Sequence, residues 1–287
     1  MKILNFIFRW HISLAIAAIL LTLSAQIQLG LKPQLHPYLF LIFIGTLFEY
    51  NKYRISIIFV SGKAFISGKH ELIRKNQKKL LVVILFLGIG LAIAVLSTKI
   101  DVLLTFLLLG FLTFFYSGID FVNKKHAFKL REISYLKIFL ISFIWSVSTI
   151  LLPVIQTGGE IINHNVILLF SERFLFIFAI ALQFDIRDMQ ADFRAGLKTI
   201  PLLIGRKSAE ILSYLSLSAG FMVSVFHYQT ENARFILWPL GISFIITLMF
   251  IQIRFFNKTM GYFYQILDAT VLLQGFLVLG FYYLSNN

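Results

Sequence analysis

Nine long apolar segments divide the sequence, and they constrain its fold more than any other feature. A helix needs about 20 apolar residues to cross the ~30 Å hydrocarbon core of a bilayer. Apolar residues make up 59% of the 287 residues and charged residues 14%, whereas soluble domains average about 45–50% and about 25%. The sequence therefore predicts an all-α polytopic membrane bundle of about nine transmembrane helices. The segments lie at about 12–31, 37–60, 80–97, 101–116, 136–155, 165–184, 209–228, 235–253 and 262–284.

The connections between these segments are too short for a separate soluble domain. Nine spans use roughly 180 positions and leave about 107 for all the connections. We therefore expect residues 1–287 to form a single integral-membrane domain. The first segment is nearer in length to a span than to the apolar part of a signal peptide, so we expect it to be retained. The chain has no cysteine, which excludes disulfides, a thiolate nucleophile and Cys-ligated metals.

The basic residues are distributed unevenly between the two sides of the predicted bundle. Lysines and arginines number 26 against 13 acidic residues, and the net charge is +13, which in a soluble protein would indicate a nucleic-acid partner. When successive connections are assigned alternately to two sides, 22 basic residues fall on one side and four on the other. Basic residues flank spans on the cytoplasmic side, so we expect a cytoplasmic N-terminus, an external C-terminus and no nucleic-acid partner. The four external residues are Lys32, Lys99, Arg173 and Arg234.

Three of the 13 acidic residues lie together at the end of the sixth segment. Asp185, Asp188 and Asp192 are spaced i, i+3, i+7, so their carboxylates share one helical face although like charges at this spacing repel. They lie in one of three long connections that all fall on the cytoplasmic side, at about 61–79, 117–135 and 185–208. Hard divalent cations prefer oxygen ligands, and Mg²⁺ binds through one or two carboxylates plus substrate phosphates. A second interpretation is a solvated helix end, in which Asp185 and Asp192 pair with Arg187 and Arg194.

The residues after this acidic cluster continue a longer motif. From Asp185 to Gly205 the sequence has the form D-x-x-D-x-x-x-D-x-x-x-G-x-K-T-x-P-x-x-x-G. This motif resembles the second aspartate-rich motif of the UbiA-type intramembrane prenyltransferase superfamily. The resemblance implies helices around a central cavity that opens to the cytoplasm, and Mg²⁺-dependent transfer of a prenyl group from a prenyl diphosphate. It implies that Asp188 and Asp192, assisted by Asp185, bind the metal, and that Lys198 neutralises the diphosphate.

A partial similarity to the same family begins at Tyr116, at the end of the fourth segment. The family has a tyrosine there, followed by basic residues that contact the diphosphate. The nearest cations here are Lys124, Lys125, Lys129 and Arg131, and the proline that usually follows the tyrosine is Ser117. The resemblance implies Tyr116 and Lys129, together with Arg187, as substrate-binding residues. The alternative is that these cations are ordinary residues flanking a span.

The family's first aspartate-rich motif is missing from the end of the second segment. Asn51 can stand for the asparagine of that motif, but Ile55 and Phe59 occupy the positions of its downstream acids. Ionising a prenyl diphosphate requires stabilisation of the charge that builds up on the leaving group. We expect Lys52 and Arg54 to supply part of it as cations, and Asn51, Lys52 and Arg54 to face Asp188 across one cavity.

The resemblance implies an enzyme that transfers a prenyl group to a lipophilic acceptor, which in the family is often an aromatic quinone precursor. One alternative is a protein that keeps the fold for isoprenoid or lipid binding without catalysis. The other is a small-molecule transporter, for which the expected internal symmetry is not visible. Asp268, inside the ninth segment, is either a structural acceptor or a residue of the pocket. The prenyl chain length, the acceptor and the oligomeric state are not indicated.

Overall fold

Every regular element in the described part of the chain is a helix. The computed structural model describes residues 11–59, 77–117, 136–194, 196–229, 231–252 and 260–285, with only the backbone for some helical stretches such as 52–59 and 114–117. The predicted all-α class is thereby confirmed for these residues. The helices are α1 Ile12–Gln28, α2 Tyr38–Phe59, α3 Gln77–Leu96, α4 Ile100–Ser117, α5 Leu136–Thr157, α6 His164–Arg194, α7 Ile200–Ile204, α8 Arg206–His227, a 3₁₀ helix Glu231–Ile236, α9 Leu237–Gln252 and α10 Met260–Ser285.

Each predicted apolar segment corresponds to one of these helices. Five helical stretches in the described residues are long and apolar enough to cross a bilayer: Leu136–Thr157, His164–Arg194, Arg206–His227, Arg234–Gln252 and Leu267–Ser285. Four shorter stretches are also apolar: Ile12–Gln28, Tyr38–Asn51, Leu85–Leu96 and Ile100–Thr113. The total of nine spans stays a prediction.

The helix contacts define two connected rings. In the larger ring α6 packs against α8, α8 against α9, α9 against α10, α10 against α1, α1 against α5, and α5 against α6. In the smaller ring α1 and α5 are joined through α2 and α4, and α3 packs on the outer side of α2. The core of the larger ring uses small residues such as Ala17 and Ala179, both completely buried. Small side chains allow the close helix approach from which membrane bundles gain their packing energy.

Large apolar side chains cover much of the surface. Leu85 and Phe86 on α3 and Leu107 on α4 are each more than 60% exposed, and Phe226 on α8 is 71% exposed. Soluble monomers rarely expose extended apolar surface of this kind. Such a surface is stable when lipid chains cover it, as expected of a membrane bundle.

Helix α6 is much longer than a bilayer requires. Its 31 residues correspond to about 46 Å at 1.5 Å per residue, whereas the hydrocarbon core is ~30 Å thick. The predicted span ended at about residue 184, but the helix continues to Arg194. The acidic run therefore forms the last turns of a helix and not a loop.

A charged network is buried between α1, α6 and the residue that follows α8. Arg173 is 1% exposed and Glu172 is 2% exposed. Arg173 Nη2 donates to Gln28 Oε1 at 2.9 Å, and Gln28 Nε2 donates to Glu172 Oε1 at 3.1 Å and to the Tyr228 hydroxyl at 2.9 Å. Arg173 also reaches the Leu21 carbonyl and the Ser24 hydroxyl of α1, at 3.3 Å each. Arg173, which the sequence placed with the external basic residues, is thus inside the bundle.

Candidate active site

The end of α6 carries the acidic cluster, and a glycine fixes where that helix stops. Gly196 has φ +70°, which is the left-handed conformation that favours glycine. The Gly196 N–H donates to the Phe193 carbonyl and the Leu197 N–H donates to the Asp192 carbonyl, the two bonds of a Schellman helix end. Gly205, between α7 and α8, has φ +83° and ψ 156°, a region almost exclusive to glycine. The two motif glycines are therefore explained by backbone conformation.

Asp185 is held by a lysine of the neighbouring helix. Its side chain is 2% exposed, and its Oδ1 accepts a hydrogen bond from Lys137 Nζ of α5 at 2.5 Å. The sequence predicted that Asp185 assists in metal binding, or that it pairs with Arg187. The structure pairs Asp185 Oδ1 with Lys137, and the assisting role of Asp185 in metal binding stays a prediction.

Asp188 pairs with the residue that precedes it. The Arg187 guanidinium donates to both carboxylate oxygens of Asp188, with Nη2 at 2.6 Å from Oδ2. The two side chains are 30% and 33% exposed. Arg187 also lies over the ring of Phe184, with its Cζ 5.2 Å from the ring centroid. Asp188 is thus accessible, and its charge is balanced locally.

Asp192 has a buried carboxylate oxygen for which the described residues provide no hydrogen bond. It is 9% exposed, and its buried Oδ2 has no hydrogen-bond partner among the residues that the structure describes. Lys137 and Arg187 attract its carboxylate electrostatically, and Asp188 repels it. An oxygen buried without a partner is costly, so this atom is a good candidate for binding a cation.

The other predicted site residues are only partly placed. Asn51 is 2% exposed and donates to the Leu47 carbonyl of its own helix at 2.9 Å. Lys198 is exposed, between the ends of α6 and α7. The side chains of Lys52, Arg54 and Tyr116, and all of Lys129, lie outside the described residues. The expectation that Asn51, Lys52 and Arg54 face Asp188 across one cavity therefore stays a prediction.

A mostly apolar cavity of about 270 Å³ lies inside the smaller ring, where α1, α2, α4 and α5 meet. Phe106, Gly110 and Trp145 are among the residues of its wall, and Glu49 and Tyr50 of α2 contribute polar groups. The Trp145 indole N–H donates to the Tyr50 hydroxyl at 3.3 Å. This pair joins α2 and α5 at the cavity wall.

Electrostatic interactions act between residues of this cavity and the acidic cluster. Tyr50 lies within the electrostatic influence of both Glu49 and Asp268, and Asp268 of α10 is attracted by Arg187, which pairs with Asp188. The two interpretations of Asp268, a structural acceptor or a residue of the pocket, both stay predictions.

Sequence reasoning did not single out several residues of this region. Lys137 was only one of the 22 basic residues that orient the spans. Tyr50 and Trp145 were among many aromatics in a chain with 32 phenylalanines and 11 tyrosines. Only the helix packing distinguishes them, because their partners lie on other helices.

Comparisons with known proteins agree with this architecture. Residues 72–261, more than half of the chain, match the UbiA prenyltransferase family. No curated protein matches the chain.

Three solved structures share the fold. A UbiA homologue from Aeropyrum pernix K1 in its apo form is 14% identical, with a TM-score of 0.57 over 96% of this chain and 98% of that one. A digeranylgeranylglyceryl phosphate synthase is 19% identical, with a TM-score of 0.51 over 98% of both chains. A UbiA homologue from Archaeoglobus fulgidus bound to GPP and Mg²⁺ is 14% identical, with a TM-score of 0.55 over 93% of this chain and 96% of that one. The apolar helices, the motif of α6 and the family match together identify the chain as an integral membrane protein that belongs to the UbiA prenyltransferase family.

Proposed function

We propose that this protein transfers a prenyl group from a prenyl diphosphate to a lipophilic acceptor and depends on Mg²⁺. In this reaction the bond between the allylic carbon and the diphosphate oxygen breaks, and its electron pair leaves on the diphosphate. The acceptor then forms a bond to that carbon and loses a proton. The observation that carries the proposal is the pair Asp188 and Asp192, one turn apart at the end of α6, in a chain of this family.

The acidic cluster fits a magnesium ion that is shared with a substrate. Among the described residues no group of three His, Cys, Asp or Glu side chains could hold a metal by itself. Mg²⁺ needs only one or two carboxylates when phosphate oxygens and waters complete its shell, and the buried Oδ2 of Asp192 lacks a partner in the described part of the chain. Bound there, the ion would neutralise charge on the leaving diphosphate. The homologue from Archaeoglobus fulgidus, bound to GPP and Mg²⁺, supports the same pairing of ligands.

The side chains of this protein orient the two substrates. Asp188 and Asp192 would hold the diphosphate through Mg²⁺ at the end of α6, and Arg187 balances the charge of Asp188. Lys198, exposed between α6 and α7, would bind the outer phosphate oxygens. Asn51, Lys52, Arg54, Tyr116 and Lys129 stay proposed substrate-binding residues on the strength of the resemblance. The apolar cavity between α2, α4 and α5 would bind the prenyl chain, which is more stable there than in water.

The orientation and the domain organisation belong to the same proposal. The 22-to-4 distribution of basic residues supports a cytoplasmic N-terminus, an external C-terminus and a cytoplasmic acidic cluster. One membrane domain would comprise residues 1–287. Arg173 does not weaken this assignment, because removing it from the external set makes the distribution more uneven.

A direct assay tests the proposed function. The purified full-length protein in lipid nanodiscs is given a panel of prenyl diphosphates, lipophilic aromatic acceptors and Mg²⁺, and diphosphate release is measured. We expect release that stops when EDTA removes Mg²⁺ and resumes when Mg²⁺ is restored. A second candidate, isoprenoid binding without catalysis, is favoured by the missing first aspartate-rich motif. Tight binding of the prenyl diphosphates without release across the whole panel would support that candidate and contradict ours.

We expect Gly110→Phe to lower prenyl transfer about tenfold or more. Gly110 belongs to the cavity wall, and a Cβ at this position would meet no atom within 4 Å. A phenyl ring can therefore be placed here without displacing backbone and would occupy space that the prenyl chain needs, and each lost apolar contact with a methylene of the substrate is worth about 1–3 kcal/mol. Turnover against substrate concentration is the measurement.

Gly88→Phe is the matched control for this variant. A Cβ at Gly88 of α3 would also meet no atom within 4 Å, but Gly88 is not part of the cavity wall. Equal losses in the two variants would mean that the cavity is not used.

A further inference from the structure

Lys137 has a position that the proposed function does not yet explain. It belongs to α5, it pairs with one acid of the cluster on α6, and its charge acts on a second. Its ammonium is 2.5 Å from Asp185 Oδ1 and attracts the Asp192 carboxylate electrostatically. It is therefore a fixed positive charge at the place where the diphosphate is proposed to bind.

The two members of this ion pair differ in their access to a ligand. Asp185 is 2% exposed and Lys137 is 31% exposed. A lysine ammonium has three N–H donors, and Asp185 Oδ1 accepts one of them. The buried carboxylate can thus hold the amine in place while the amine offers further donors on its open side.

The charges of the cluster indicate what the open side would bind. Asp188 is balanced by Arg187 and Asp185 by Lys137. In the described part of the chain the buried Oδ2 of Asp192 has no hydrogen-bond partner, so Asp192 is the acid best placed to join Asp188 at a cation. The chain lacks the carboxylates of a second acidic cluster at Ile55 and Phe59. A diphosphate carries several negative charges, and lysine is a good phosphate ligand as a point charge.

We propose that Lys137 binds the diphosphate group directly and that Asp185 positions its ammonium. This inference rests on the proposed function and adds a cation to its site. The alternative is a purely structural ion pair, in which Lys137 only neutralises the buried Asp185. The two interpretations differ when both charges are removed together.

The decisive variant is the double substitution Lys137→Gln with Asp185→Asn. It leaves the net charge unchanged and replaces the ion pair by two amides that can still form a hydrogen bond. We expect the affinity for geranyl diphosphate in the presence of Mg²⁺ to fall about 10- to 100-fold, because a charge-assisted contact is lost. Binding is measured by isothermal titration calorimetry on the full-length protein in nanodiscs, with inorganic pyrophosphate as a second probe.

Two single variants complete the experiment. Lys137→Arg keeps a cation next to Asp185 and should retain affinity within a few-fold. Asp185→Asn keeps Lys137 but replaces its charged acceptor by an amide oxygen, so the ammonium is held less firmly, and we expect a loss of affinity smaller than that of the double variant. Thermal unfolding of each variant shows whether it is folded under the conditions of the titration.

The outcomes separate this inference from the proposed function. If the folded double variant binds geranyl diphosphate as tightly as the wild type, Lys137 is only a structural counter-ion and the inference is overturned. If the wild type itself binds no prenyl diphosphate, it is the proposed function that fails. Inorganic pyrophosphate then still reports whether Lys137 contributes to anion binding at this site, by weaker binding to the double variant.

Discussion

The Asp192→Asn variant is expected to lose at least about 100-fold in prenyl transfer while folding as well as the wild type. Residues that only support metal ligands cost 10- to 100-fold when removed, so loss of a ligand itself should reach or exceed that range. The substitution keeps the size of the side chain. Because Oδ2 of Asp192 is buried without a partner in the described residues, the wild-type carboxylate lacks full compensation. Without metal, the Asp192→Asn variant should therefore be at least as stable as the metal-free wild type.

Activity and stability together test this prediction. The wild type should gain thermal stability when Mg²⁺ and pyrophosphate are added, because a ligand that binds only the native state stabilises it. The thermal stability of Asp192→Asn should increase only slightly when the same ligands are added. Asp101→Asn is the matched control, since Asp101 is an exposed acid in the first turn of α4 and belongs to no part of the proposed site. Unchanged transfer by Asp192→Asn would refute the metal-binding role of this residue.

A large effect on stability is expected from the buried charged network around Arg173. Arg173→Met should lower the free energy of unfolding by about 3–5 kcal/mol, the typical result of removing one of two compensating buried charges. The loss arises because the buried Glu172, which is joined to Arg173 through Gln28, loses its compensating charge, while Gln28 loses the donor that orients its amide. Reversible unfolding in mixed micelles measures the change.

Two comparisons make the prediction for Arg173 specific. The double variant Glu172→Gln with Arg173→Met should recover a large part of the loss, because no uncompensated charge then remains. Arg206→Met removes an exposed arginine that pairs with Glu210 at 3.0 Å, and such surface pairs contribute only about 0–1 kcal/mol. Similar losses for Arg173→Met and Arg206→Met would show that the buried network contributes no more than a surface contact.

The helical fold could be predicted from the sequence because hydropathy acts locally. A segment of 20 apolar residues must be a helix in lipid, since it has to satisfy its own backbone hydrogen bonds. The apolar segment was predicted to end at about residue 184, and the shared face of the three aspartates required the helix to continue beyond it, because acidic residues end an apolar segment but do not end a helix. Gly196 provides the stop, and the motif contains this glycine.

The partners of the candidate site could be predicted only in part. The shared face of Asp185, Asp188 and Asp192 follows from helical periodicity. The contact between Asp185 and Lys137 spans 48 positions, and that between Trp145 and Tyr50 spans 95. Such contacts depend on how α5 packs against α6 and α2, and the spacing of residues in one sequence does not specify this packing.

The excess length of α6 has a consequence for how a substrate would be handled. A helix of about 46 Å in a hydrocarbon layer of ~30 Å extends some ten residues into the headgroup region and the water beyond it. The proposed diphosphate site at Asp188 and Asp192 would then border the lipid head groups, while the cavity lined by Phe106 and Trp145 would hold the prenyl tail among the apolar helices. An amphiphilic prenyl diphosphate already partitions in this way. The enzyme could therefore act on it without extracting its tail from the membrane or dehydrating its head group.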